Sequence, residues 1–191
     1  MWLESAQEQG GETLDINWRG FLLEQINNKE EPGWKVWEQP DDYEFRGLWA
    51  LRAGESAKKQ GKEAFQKFHI ALLRARHEDR VNIGDKDVLM EVASTVGLDL
   101  EKLRTDMEDP AIKDQVVTDH LEAVESHGVF GTPTFVFPNG AAAFVKMIRP
   151  PEGKAARTLE LLSELMSEQI YIGEVKRPQP PWPKGAFTAG Q

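Results

Sequence analysis

The chain is 191 residues long, 40% hydrophobic and 29% charged, with 23 Lys plus Arg against 32 Asp plus Glu and a formal net charge of -9. That length suits one domain or a domain with a sizeable insertion, and that charge repels phosphate backbones and anionic lipid heads, so no nucleic acid and no membrane is expected as a partner. Cysteine is absent, which removes thiolate nucleophiles, thiol-disulfide exchange, Fe-S ligation and cysteine-based zinc sites from what these residues do on their own.

The opening Met1-Trp2-Leu3-Glu4 runs straight into charged and amide-rich sequence with no basic segment followed by an apolar one. No apolar run of about 18 residues follows, so a cytoplasmic location is the expectation. Trp2 to Gln9 is a short helical candidate ended by Gly10-Gly11. From Thr13 to Arg19 apolar and polar residues alternate, and Leu14, Ile16 and Trp18 share one side, the period of a half-buried strand. Between Phe21 and Asp42 the breakers Pro32-Gly33 and Pro40 interrupt a stretch carrying Trp34 and Trp37, with Tyr43 and Phe45 beyond it. It reads as a long surface connection. Its two indoles either pin the loop to the body or wall a peptide or small-molecule groove.

The middle of the chain has helical periodicity and caps. Phe65, Phe68, Leu72 and Ala75 fall at helical spacing, as do Val88, Leu89, Val92, Ala93 and Val96 between an Asp85 N-cap and a Gly97 stop. Asp99 caps Leu100 to Met107, and Asp109-Pro110 opens a helix through Ile112, Val116, Leu121 and Val124 that ends at Gly128. Extended sequence follows. Val129 to Phe137 enters a strand, Pro138-Asn139-Gly140 turns, and Ala142 to Ile148 returns as the second strand of a hairpin. A last helix is expected from about Glu152 to Ser167, and the proline-rich tail from Arg177 should be polyproline-like.

The four histidines, at 69, 77, 120 and 127, lack the i, i+4 spacing of a helical metal site, so no metal ligands are expected. No Gly-rich phosphate loop occurs. Ser126, Thr132 or Thr134 with His127 nearby lacks a third orienting group for a hydrolase triad.

The run Gly128-Val129-Phe130-Gly131-Thr132-Pro133-Thr134-Phe135-Val136, after a helix holding Asp119 to Val124, resembles the cis-proline loop of DsbA-like thioredoxin-fold proteins. With the Ile83 to Asp99 stretch, the Asp109-Pro110 helix start and Trp18 to Asn27 after a first helix, the layout is similar to a cytoplasmic branch. That branch includes FrnE-type proteins and relatives of 2-hydroxychromene-2-carboxylate isomerase, and the resemblance spans Trp2 to Met166. It implies an α/β fold: a thioredoxin-like sheet formed by residues 1–46 and 128–176, an all-helical insertion over 47–127, and the tail 177–191. It implies a thiol-disulfide oxidoreductase at family level. Thr132, Pro133 and Gly131 would bind an extended peptide or a thiol-containing small molecule; no resident cofactor is expected, and glutathione is the small thiol the resemblance allows.

The departure lies at the start. Family members bring a Cys-x-x-Cys, or a serine in the isomerase branch, to the N-terminus of the first helix, where the helix dipole stabilises a thiolate. This sequence starts inside that helix, so the first strand and its motif are expected to be missing and no catalytic residue is carried over. Strand edges left unpaired by that absence predict a homo-oligomer, a natural start further upstream, or closure of the flanking strands on each other. The function is then a cysteine-free or shortened oxidoreductase relative, a non-catalytic peptide- or glutathione-binding scaffold, or a glutathione-dependent isomerase.

Overall fold

The helix caps of the sequence decide most of the architecture. The computed structural model describes residues 2–11, 14–40, 43 and 47–176. Among these it contains α1 (Trp2–Gly10), α2 (Leu23–Asn27), a single 3-10 turn (Val36–Glu38), α3 (Leu48–Lys58), α4 (Lys62–His77), α5 (Lys86–Thr95), α6 (Leu100–Glu108) and α7 (Pro110–His127). The strands β1 (Thr134–Val136) and β2 (Ala142–Phe144) and a final helix α8 (Ala155–Ser167) complete it. The chain divides into two compact units, Asn17–Gly131 and the remaining segments Met1–Ile16 and Thr132–Gln191.

The 17–131 unit is helical. Carboxylates of Asp85, Asp99 and Asp109 accept from the amides of Asp87, Lys102 and Ala111 at 2.8, 3.0 and 2.9 Å, each satisfying a donor that a helix start leaves open. Pro110 follows its cap at the first helical position, where its missing N–H costs nothing. Gly128 ends α7 in the left-handed region (φ 62), so that Gly128 and Val129 donate back to Val124 and Ala123. Helix α3 sits centrally: Ala50, Ala53 and Ala57 form a stripe of small residues that lets α4 and α6 approach. The main core joins these to Trp49, Phe65, Phe68, Leu72, Leu89, Ala93, Leu103 and Met107. A second core gathers Leu22, Val36, Leu48 and Val116, with Trp34 and Trp37 packed on it.

Two expectations are corrected here. Leu14 to Arg19 forms no strand, although its burial alternates as a strand's would. Its continuation is held by side chains instead of a ladder: Gly20 N–H donates to Asp119, Leu22 N–H to His120, and Lys58 Nζ to the Trp18 carbonyl. The stretch from Phe21 is also more than a surface connection, because Leu22 and Val36 are buried and it contributes α2 and the 3-10 turn. The compact helical unit reaches from 17 to 131. Thr13, Phe45 and the tail from Arg177 lie outside the described residues.

In the other unit α1 packs on α8 and both strands pair antiparallel with Thr134 opposite Phe144, Phe135 opposite Ala143 and Val136 opposite Ala142. The expected turn is present: Gly140 (φ 86) closes it, and Asn139 Oδ1 accepts from Ala141 N–H. Both strands are shorter than expected, and α8 starts at Ala155 because Gly153 (φ 73) follows Pro150-Pro151. Helix α8 is capped from outside. Gln9 Oε1 of α1 accepts from Ala155 N–H at 3.0 Å and Ala156 N–H at 3.4 Å, and Asn139 Nδ2 donates to the Ser167 carbonyl at 2.7 Å.

Candidate functional site

The hairpin register decides which backbone groups of the Gly-Thr-Pro-Thr loop face outward. Val145 N–H donates to the Pro133 carbonyl at 3.0 Å and Phe137 N–H to the Ala141 carbonyl at 2.8 Å. Residues 133, 135 and 137 therefore spend their backbone groups on the β2 side, and residues 134 and 136 turn theirs to the other side of β1. Thr132 lies exposed just ahead of β1, its peptide bond to Pro133 is cis, and its backbone has no backbone partner among the described residues.

Beside it opens a groove of about 350 Å³. Its walls are Trp2 in the first turn of α1, Thr132 and Pro133, and the irregular segment after β2, residues 145–149. Lys146 and Arg149 belong to that lining, and among the described residues no Asp or Glu does. Thr132 supplies a hydroxyl, but no imidazole or carboxylate lines the groove to activate it. What the groove offers is shape, an indole, an outward-facing peptide edge and positive charge.

The structure thus brings together two of the residues singled out in the sequence, Thr132 and Pro133. Gly131 is buried and does not line the groove. Trp34 and Trp37 do not line it either; they pack in the 17–131 unit, where Trp37 meets the His120 ring edge-on with centroids 5.7 Å apart. There they pack against the core of Leu22, Val36, Leu48 and Val116. Trp2, Lys146 and Arg149 were not legible as site residues. The available signal was a Lys-x-x-Arg pair in an acidic chain, following a strand whose partner starts at the Thr-Pro loop.

Two of the four histidines are structural. His120 is 2% exposed, its Nδ1 accepts from Leu22 N–H at 3.3 Å, and its ring meets Phe21 and Trp37. His69 lies between the Trp18 and Phe65 rings, with centroids at 4.4 and 5.3 Å, and among the described residues its buried Nε2 has no partner. Burial pushes the His69 ring down to about 4, with the Lys58 charge acting the same way, and burial also lowers His120. Both folded values lie below the unfolded value of about 6.5. The unfolded chain therefore binds more protons in that window, so stability is complete above about pH 6.5 and is lost as pH falls toward about 4. Urea midpoints at pH 7 and pH 5 are expected to fall accordingly, and His69→Gln should flatten the difference; a slope unchanged by that substitution rejects this assignment. Among the described residues no three His, Asp or Glu side chains converge as a metal site, and no helix is long and apolar enough to cross a membrane.

Two comparisons bear on this geometry. Residues 46–151, more than half of the chain, match the DSBA-like thioredoxin domain. The match takes in α3 to α7, the Thr132-Pro133 loop and both strands. The uncharacterized protein Rv2286c of Mycobacterium tuberculosis is 28% identical over 185 residues, covering 95% of this chain and 76% of that protein.

Proposed function

Since the chain belongs to the DsbA-like thioredoxin domain family, we propose that it binds an extended peptide or a small thiol such as glutathione in the groove at Thr132-Pro133, without thiol chemistry of its own. The observation that carries this reading is the outward edge of Thr132 at the mouth of a groove walled by Trp2 and Pro133. An extended chain pairs with such an edge through main-chain hydrogen bonds, while the neighbouring hollow takes a side chain. A buried indole contact adds on the order of 1 kcal/mol or more.

Calorimetric titration with a panel of extended hexapeptides and glutathione tests it. Thr132→Trp, which fills the groove from an exposed position, is expected to abolish binding, and Trp2→Ala to weaken it about tenfold, equivalent to ~1.4 kcal/mol. A Thr132→Trp protein that binds every probe like the parent rejects the groove as the site.

A second reading, a dithiol oxidoreductase, is favoured by one observation: the first turn of α1, which the resemblance places just after the nucleophile segment, borders Thr132-Pro133. With no cysteine in these 191 residues, it requires sulfur supplied from outside them. Titration of thiols in denatured protein purified from its native cells decides: one or more per chain supports this reading, and none rejects it.

A further inference from the structure

The groove is charged in one sense only. Lys146 and Arg149 line it together, and among the described residues no carboxylate shares the lining and neither side chain enters an ion pair. By contrast Lys35, Lys58, Lys59, Lys67, Lys86, Arg104 and Arg157 are each matched to a nearby Glu or Asp. In a chain of net charge -9, two unmatched cations on one cavity form a local positive spot within a negative field. Such a spot selects for the sign of the ligand and steers its approach.

We propose that the groove is specific for extended peptide ligands bearing a carboxylate, whose main chain lies along the Thr132 edge while the carboxylate reaches Arg149 and Lys146. This rests on the groove reading given above and adds the ligand's chemistry. Arg149 presents a planar fork that holds a carboxylate through two parallel N–H donors, and Lys146 adds a point charge. Trp2 and the apolar Val145, Met147 and Ile148 of the same lining hold the aliphatic stem that carries the carboxylate. The acid has two sources, an acidic segment of a protein or the free carboxylates of a small peptide such as glutathione.

The test uses the full chain and three calorimetric probes: a hexapeptide with two glutamates, its twin with glutamines in their place, and glutathione. At about 0.02 M salt the acidic peptide is expected to bind about three- to tenfold tighter than its twin, the sum of two partly solvated ion pairs. The preference should collapse at about 0.3 M salt, where screening acts over less than 10 Å. Lys146→Glu with Arg149→Glu, both on exposed positions, should invert the preference, so that the glutamine twin binds tighter than the acidic peptide. Tighter binding of the acidic hexapeptide than of glutathione assigns the ligand to a protein segment, and the reverse assigns it to a free small peptide. Equal affinity of the parent protein for the twins, or a double variant with its circular dichroism intact that still prefers the acidic peptide, overturns the charge specificity while leaving the groove in place. Failure of every probe to bind the parent protein overturns the groove reading and the specificity with it.

Discussion

Phe68→Ala is expected to cost about 3–5 kcal/mol of stability, the upper range for removing a buried aromatic ring. Phe68 is 0% exposed on α4, and Ala53, Ala57, Leu89, Ala93 and Leu103 of the same core are equally closed to solvent. The alanines have no rotamers with which to fill the space, and α3, α4, α5 and α6 pack against each other around it. The cavity therefore persists, and its walls lose contacts as well as transfer energy. Against a typical total of about 5–15 kcal/mol, the loss brings the protein close to unfolding. Urea unfolding followed by far-UV circular dichroism checks it, with Leu161→Ala as the control. Leu161 is 49% exposed on α8, and its truncation should stay within about 0.5 kcal/mol. A Phe68→Ala midpoint equal to the control's defeats the placement of Phe68 at the centre of the core.

Asp119→Ala is expected to cost about 2–4 kcal/mol, mainly through unmade hydrogen bonds. The carboxylate is 2% exposed and accepts from the buried Gly20 N–H at 3.2 Å and from Gln115 Nε2 at 2.9 Å, and Arg19 lies 2.8 Å away. The arginine contributes the smaller part, since it is 40% exposed and also pairs with Glu122. The larger part is the Gly20 amide, which has no water to turn to once its acceptor is gone. Asp119→Asn keeps an acceptor oxygen in place and should lose about half as much. Hydrogen exchange gives a second readout: residues 17–22 should exchange faster in the alanine variant while α5 is unchanged. Wild-type protection at Gly20 and Leu22 in that variant removes Asp119 from this role.

These two sites show what the sequence made legible. Helices α5, α6 and α7 could be placed almost to the residue because they carry their own local starts and stops: Asp85, Asp99 and Asp109 at the beginnings, Gly97 and Gly128 at two of the ends; α2 and α3, which have no side-chain cap, were not placed. The buried face of α4 was equally visible in the spacing of Phe65, Phe68, Leu72 and Ala75. Leu14 to Arg19 misled because alternation reports which side chains are covered and says nothing of what the backbone binds. Here the partners of the following residues are an aspartate and a histidine about a hundred positions away, and no local pattern encodes them. The Thr132-Pro133 loop was recognisable from its neighbours in the chain. The cations across the groove were not, because Lys146 and Arg149 reach it only through the pairing of β1 with β2.

The side-chain caps on α8 carry a consequence for how the chain is made. Gln9 and Ala155 are separated by 146 positions, so α1 leaves the ribosome long before the helix it serves. At about 5–20 residues per second, that interval lasts roughly seven to thirty seconds. During it the 17–131 unit holds all its own cores and can finish folding, while α1 waits with its packing face open. Slowing synthesis would lengthen the time α1 waits for its partner helix without changing the final fold.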